Sequence, residues 1–428
     1  DEAFLGVPRE IVEEAMESHQ RYFPLEDAEG TLLSRFLVVH NGEPSRTGAI
    51  VAGHERVIRA RLADAAFFYA EDLKRPLESY VKALDAIVFH DKLGSLGAKT
   101  ARISALAAAL ARAVDAPADQ AAYASRAAHL AKADLVTQAV VEFTSLQGVM
   151  GYRYAQAAGE APDVSEAIVD HYRPRFAGDE LPRSLAGKLV SIADKLDTIA
   201  GIFAIGQGPT GSADPYALRR SAIGVLTMII DGEVRLALDE AIGAALAGYA
   251  GVVPGLDPNV TGPVVKSFFD ARLTVMLRDR GHAYDEVDAV MPVASADPAD
   301  TVRRVRALAG FRATQAGRDL SVAFKRVANL ADPAAGSDPD MGLMGDEERA
   351  LADAVEIASE QVGALMGIDH DYDGALAVLA ELRGPVDAFF DRVLVMDPDE
   401  TLRRNRLALL NRLNGLFAGF ADFSRLAG

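Results

Sequence analysis

The sequence predicts a mainly α-helical chain of several domains with a small β element near its N-terminal end. Three observations carry that prediction. The 428 residues exceed the size at which one hydrophobic core keeps growing. Apolar residues make up 50% and charged residues 25%, the balance of a folded chain able to bury large cores. From Ala49 onward, apolar side chains recur every three to four positions almost without a break, which is the period of an amphipathic helix. No internal repeat is visible.

The elements follow in order. The stretch RYFPLEDAEGTLLSRFLVVHNG alternates apolar and polar residues around the turn-prone Glu29-Gly30 and ends in Asn41-Gly42, so it reads as a short hairpin. A lone hairpin is marginal in water, so the expectation is an upstream domain, outside this chain, that supplies its partners. The run HERVIRARLADAAFFYAEDL places Val57, Leu62, Ala65 and Phe68 near one helical face, and ISALAAALARAV keeps the same period. Asp115-Ala116-Pro117, the stretch from Gly159 to Pro162 and the stretch from Arg173 to Pro182 stop helices. Residues 332–345, within ADPAAGSDPDMGLMG, have the composition of a linker.

Composition narrows the function. No run of about 20 apolar residues occurs. The opening DEAFLGVPREIVEE lacks the basic-then-apolar order of a secretion signal, so a cytoplasmic protein with no membrane partner is expected. Zero cysteines exclude disulfides, thiolate zinc sites and cysteine nucleophiles together. A formal net charge of -18 argues, on average, against a polyanionic partner. The distribution argues differently. Residues 301–330 carry seven basic side chains against Asp319, residues 331–400 carry eighteen acidic against three basic, and residues 401–425 carry five arginines against Asp422. Such blocks are either solvated faces or a local polyanion site.

Motifs with possible chemistry are few. Gly206-Gln207-Gly208-Pro209-Thr210-Gly211 has the spacing of a dinucleotide loop, with Asp231 twenty residues on. That motif works only between a strand and a helix. Here the preceding LVSIADKLDTIAGIFAI has helical spacing and Pro209 lacks an amide donor. A helix-to-helix loop is expected, with Asp214 and Pro215 as N-cap and N1 of the next helix. His90-Asp91 and the segment VSIADKLDT direct attention to metal-dependent phosphohydrolases of the HD superfamily, whose final metal-binding Asp resembles Asp194. Their His-Asp pair should fall in AAHLAKADL, where the chain instead has Ala131-Lys132. A methyl group and a cation cannot ligate a hard cation, so the expectation is an HD-like helical fold without its metal, and His129 as a core or interface residue. No phosphate loop, HExxH, GxSxG, HIGH or KMSKS segment occurs. No catalytic residue is therefore expected in this chain.

Taken in order, ESHQRYFPLEDAEGTLL, GHERVIRARLADAAFFYAEDLKRPL, LGSLGAKTARI, AAHLAKADLVTQAVVEFTSLQGVMGYRYA, HYRPRFAGDELP and ADKLDTIAGIFAIGQGPTGSADPYALRR resemble the β subunit of bacterial two-subunit glycyl-tRNA synthetase. AFKRVANL and PVDAFFDRVLVMDPDETLRRNRLALLNRL resemble that family's anticodon-binding domain, itself similar to the DALR-type domain of arginyl-tRNA synthetases. Two departures stand out. These residues hold nothing that resembles the family's N-terminal modules, so a truncated or partly covered β subunit is expected, and a typical glycine-asparagine-glutamate reads Gly53-His54-Glu55.

The resemblance implies a division of labour in an α2β2 heterotetramer. The α subunit binds ATP and Mg and forms the aminoacyl bond, whereas β positions tRNA(Gly) and needs no cofactor of its own. It implies a remnant of a tRNA-side domain and linker helix over residues 1–83, a helical HD-like domain over 84–226, a helical connector over 227–298 and a DALR-like anticodon-binding domain over 299–428. Lys325, Arg326, Arg403, Arg404, Arg406 and Arg412 are the candidate contacts to the anticodon arm, against the alternative that they pair with the acidic block between them. Arg56, Arg59 and Arg61 recur on a helix that would face acceptor-stem phosphates. For Arg173, Arg175, Arg219 and Arg220 a structural role, tied to Asp179 or Asp214, is expected. The rival functions are an HD-type phosphohydrolase and a tRNA-binding scaffold without a synthetase partner.

Overall fold

The computed structural model describes residues 1–293 and 296–426. Its contacts divide the chain into two compact units, Asp1–Val265 and Lys266–Gly428.

The first unit opens with α1 (Arg9–Gln20), the strands β1 (Phe23–Glu26) and β2 (Leu32–Leu37), and the long α2 (Thr47–Asp72). The strands pair antiparallel, with Phe23 opposite Leu37 and Glu26 opposite Leu32, as the alternation predicted. The hairpin has partners within the chain. Val12 and Met16 of α1, Tyr22, and Ile58 of α2 form a buried cluster against which Leu32 and Phe36 pack. The buried face of α2 is Ile58, Ala65 and Asp72, with Leu62 partly buried. Val57, expected on that face, is 40% exposed. Leu62 and Ala65 lie on the buried face as expected, but the stripe starts from Ile58 in place of Val57, because Ile58 meets the hairpin cluster.

A second, shorter hairpin of β3 (Val88–His90) and β4 (Gly94–Ser95) was not foreseen, and it leads into α3 (Leu96–Ala113), capped by the Ser95 hydroxyl. Then come α4 (Ala118–Leu130), α5 (Gln138–Glu142), α6 (Val149–Ala157), α7 (Pro162–Asp170), α8 (Leu185–Ala204), α9 (Leu218–Ile230) and α10 (Leu238–Ala247). The breaks between α3 and α4, α6 and α7, and α7 and α8 fall at the predicted stops. Helix α8 is the axis of the unit, packing against α3, α4, α7, α9 and α10. It is buried almost all round, from Leu189, Ile192 and Leu196 on one side to Val190 and Ile202 on others, as a central helix must be. Buried Asp72 fixes α2 to this body, its carboxylate accepting from the amides of Gln138 and Ala139 and from the Tyr154 hydroxyl at 2.7–3.0 Å.

The boundary falls within α11 (Pro258–Asp279). The second unit continues through α12 (Tyr284–Val290), α13 (Pro298–Arg312), α14 (Gln315–Leu330), α15 (Asp346–Ala364), α16 (Tyr372–Glu381), α17 (Arg383–Arg392) and α18 (Glu400–Ala418). Its core is aromatic: the rings of Phe324, Phe417 and Phe423 lie 4.8–5.5 Å apart. The predicted linker at 332–345 holds only two 3-10 turns, and Asn411 of α18 fastens it by accepting from the Asp332 amide and donating to the Asp332 and Gly336 carbonyls.

Candidate functional site

Three helices and one turn of the first unit converge on Asp194. Lys99 and Arg102 come from α3, Lys132 follows the end of α4, His171 caps α7, and Asp194, Asp197 and Thr198 lie on α8. The Lys132 Nζ lies 2.8 Å from Asp194 Oδ2 and 2.7 Å from His171 Nε2. Lys99 Nζ lies 2.9 Å from Asp194 Oδ1, 3.1 Å from Asp197 Oδ2 and 2.7 Å from Thr198 Oγ1. Arg102 Nε donates to Asp197 Oδ1 at 2.8 Å. Both lysine side chains are buried.

The protonation pattern follows from these contacts. His171 Nδ1 is 2.6 Å from the Ile168 carbonyl, which can only accept, so Nδ1 carries the hydrogen and Nε2 offers a lone pair to Lys132. Burial and the Lys132 charge push the His171 imidazole well below its ordinary range, keeping it neutral. Burial alone would raise the Asp194 carboxyl, but the Lys132 and Lys99 ammonium groups outweigh it and hold the group well below the usual carboxylate range. Burial pushes the neighbouring Lys195 down to about 8. It donates to the Arg173 carbonyl and to Ser191 Oγ, anchoring the turn that carries His171.

This geometry does not fit the metal centre of an HD phosphohydrolase. Lys132 stands where that site needs a carboxylate, and both oxygens of Asp194 face ammonium groups. Among the described residues, no group of three or more His, Cys, Asp or Glu is placed to hold a metal ion. The phosphohydrolase reading is accordingly not favoured. His129 is not a core residue; its side chain is 42% exposed, 2.8 Å from Glu78. His171 was missed as a member of this cluster, since only its place in HYRPRF marked it.

The glycine-rich segment 206–211 joins α8 to α9, as expected of a helix-to-helix loop. Asp214 does cap α9, accepting from the Leu218 and Arg219 amides at 2.8 and 2.9 Å, but from outside the helix. The N-cap is Ala217 and the first helical residue Leu218, so the expected placement of Asp214 and Pro215 at N-cap and N1 is corrected by three residues. The Arg219 guanidinium closes the loop by donating to the Gly211 and Ala213 carbonyls. Arg175 pairs with Asp179 at 3.4 Å and Arg173 with Glu180 at 2.9 Å, while Arg220 is exposed.

The tail cations fall into two groups. Arg406 is only 13% exposed, held 2.6 Å from Glu348 and 2.7 Å from Asp397. Arg412 pairs with Glu356, and Arg403 donates to the Asp397 carbonyl. Arg326 is 46% exposed at its side chain, 3.7 Å from Asp387, with its guanidinium over the Phe390 ring. Arg404 is exposed and Lys325 half-buried, on helices anchored by Phe324 and Val327 in α14 and by Leu409 and Leu413 in α18. Arg304 and Arg412 also flank a cleft of about 570 Å³ between α15 and α18, floored by Val355, Val362 and Leu416. In the first unit Arg56 and Arg59 are exposed on α2, and Arg61 lies 3.4 Å from Glu142. Nearby, His54 Nδ1 lies 2.8 Å from the Tyr22 hydroxyl, so the residue that departs from the family pattern ties α2 to the hairpin.

The fold and this geometry define a mainly α chain of two helical units, with charge clusters tying its helices together and cations exposed on α2, α14 and α18. A family model described as glycyl-tRNA synthetase beta subunit matches residues 1–292, and the chain belongs to that family. It is 46% identical over 428 residues to the glycine–tRNA ligase beta subunit of Desulforamulus reducens, covering all of this chain and 61% of that protein. It is 44% identical over 434 residues to the corresponding protein of Methylobacillus flagellatus, again covering all of this chain and 60% of the relative. The Moorella thermoacetica protein is 45% identical over 437 residues, with 62% of it covered. The chain thus spans about three-fifths of the length of these curated relatives.

Proposed function

We propose that this chain is the tRNA-holding part of a glycyl-tRNA synthetase β subunit, positioning tRNA(Gly) for ATP-dependent glycylation carried out by an α subunit. The observation that carries the reading is the similarity to glycine–tRNA ligase beta subunits along the whole chain, second unit included. The chemistry of the surface supports it. Exposed arginines on anchored helices supply what RNA needs, which is cations for phosphates and flat guanidinium groups for unpaired bases. Arg326, Arg404 and Lys325 are the contacts to the anticodon arm in this reading, and Arg56 and Arg59 those to the acceptor stem. Arg403, Arg406 and Arg412 act by shaping the surface, because carboxylates or carbonyls already hold them. ATP and Mg belong to the α subunit, and this chain needs no cofactor.

The test is binding of tRNA(Gly), compared with a tRNA for another amino acid, by the chain with and without an α subunit. Preference for tRNA(Gly), and co-purification with α, are the expected results. Equal binding of both tRNAs with no capture of α would point to a scaffold, and absence of tRNA binding under both conditions would overturn the proposal.

A further inference from the structure

The cluster around Asp194 has the composition of a cation site. Its acceptors are the Asp194 and Asp197 carboxylates, and the Nε2 lone pair of an imidazole whose Nδ1 hydrogen is held by the Ile168 carbonyl. A backbone carbonyl on the far nitrogen is how a ligating histidine is oriented. Between the Asp194 carboxylate and the His171 lone pair stands Lys132 Nζ, while Asp197 is held by Lys99 and Arg102. The three contacts of Lys132 Nζ are Asp194 Oδ2 at 2.8 Å, His171 Nε2 at 2.7 Å and the face of the Tyr172 ring at 4.2 Å from its centroid. An anion, a lone pair and a π face favour a positive charge there, working against burial and the Lys99 charge, which pull the Lys132 ammonium below its ordinary range. Lys99 Nζ occupies a second such point, facing Asp194, Asp197, Thr198 Oγ1 and the Phe89 ring at 4.7 Å.

We propose that Lys132 and Lys99 are the resident cations of a site built from Asp194, Asp197 and His171, so that the first unit supplies from its own side chains the positive charge a divalent metal would otherwise bring. The site is electrostatically complete. It joins α3, the end of α4, the turn after α7 and α8 without taking an ion from solution, and it makes the fold indifferent to chelators. The native acceptors alone do not form a metal-binding group, and a carboxylate in place of Lys132 would supply the ligand they lack. This inference does not rest on the tRNA reading.

The test uses the full chain in four forms: wild type, Lys132→Met, Lys132→Asp, and Lys132→Asp combined with His171→Ala. Thermal unfolding is followed with a chelator and with manganese(II), a metal suited to carboxylate and imidazole ligands, and bound manganese is counted by paramagnetic resonance. The wild type should unfold at one temperature in both conditions and bind no manganese at this site. Lys132→Met removes the charge at similar volume and leaves a buried carboxylate half-compensated, so Tm should fall by roughly 10 °C in both conditions. Lys132→Asp should be less stable in chelator, recover with manganese and bind one ion per chain, and His171→Ala should abolish that recovery. If Lys132→Asp does not fold, the Lys132→Met comparison still decides. A Lys132→Met chain as stable as the wild type overturns the proposal, as does a folded Lys132→Asp chain that manganese neither binds nor stabilises.

Discussion

Beside the lysine cluster, Asp134 shows how one buried carboxyl can make stability depend on pH. Its Oδ2 accepts from the Gly148 and Gly151 amides at 2.5 and 3.0 Å, which fixes the turn before α6. Burial, only partly offset by those amides, pushes its pKa up to about 6 from 3.8. Below 3.8 the group is neutral in both folded and unfolded chains and has no effect. Between 3.8 and 6 the folded chain binds the proton more tightly, so stability falls as pH rises through that window. Above 6 the whole cost of a buried charge is present, on the order of 3 kcal/mol. Asp134→Asn keeps an oxygen for the two amides and removes the ionisation. The stability difference, variant minus wild type, should therefore grow between pH 4 and 6 and level off above it, as measured by denaturant unfolding across that range. A difference independent of pH would contradict the assignment. Nothing in the local sequence flags Asp134 or His171, because their states are set by chain segments distant in sequence. Lys132 and His171 alone are separated by 39 positions. Asp194 and Lys132, by contrast, were legible, since they stand where a resemblance could be compared residue by residue.

At the scale of elements, periodicity and stop signals placed helices well, because both report local backbone chemistry. The β1–β2 hairpin and the breaks before α4, α7 and α8 were readable for that reason. What escaped was whatever depends on the neighbour. Ile58 rather than Val57 faces inward because of the hairpin cluster, and β3 and β4 are too short to show an alternation. Two glycines make the same point in the form of a prediction. Gly243, inside α10, is exposed, and an added Cβ there would meet nothing within 4 Å. Gly243→Ala should stabilise the chain by about 0.5–1 kcal/mol through helix propensity and lost unfolded-state freedom. Gly201, inside α8, would set a Cβ 2.3 Å from the Tyr249 hydroxyl, which donates to the Asp197 carbonyl at 2.8 Å. Gly201→Ala should cost about 1–3 kcal/mol by displacing that ring from a packed core. Thermal unfolding of the two variants reads the sign directly, and a Gly201→Ala chain more stable than the wild type would show that Tyr249 yields freely.

At the scale of the whole molecule, the proposed binding of a polyanion has to be reconciled with a net charge of -18. Affinity for nucleic acid depends on the number of cations that displace counterions at the contact, not on the average charge. The ion pairs decide which cations are available. Arg406, 13% exposed and clasped by Glu348 and Asp397, has its charge already compensated, whereas Arg404 is exposed and Arg326, also exposed, lies 3.7 Å from Asp387. The sequence placed Arg326 in one basic block and Arg404 and Arg406 in another, and composition alone cannot tell a paired arginine from an open one. If Arg326 and Arg404 touch phosphates, each alanine variant should weaken tRNA(Gly) binding and lower the slope of log affinity against log salt by about 1. Arg406→Ala should leave that slope unchanged and instead lower Tm, because Glu348, itself buried, loses its partner. Titrations of tRNA(Gly) over a salt series, run beside thermal unfolding of the same three variants, separate the two kinds of arginine. Slopes that stay fixed for Arg326→Ala and Arg404→Ala, with a reduced slope for Arg406→Ala, would place the RNA on a different face of the second unit.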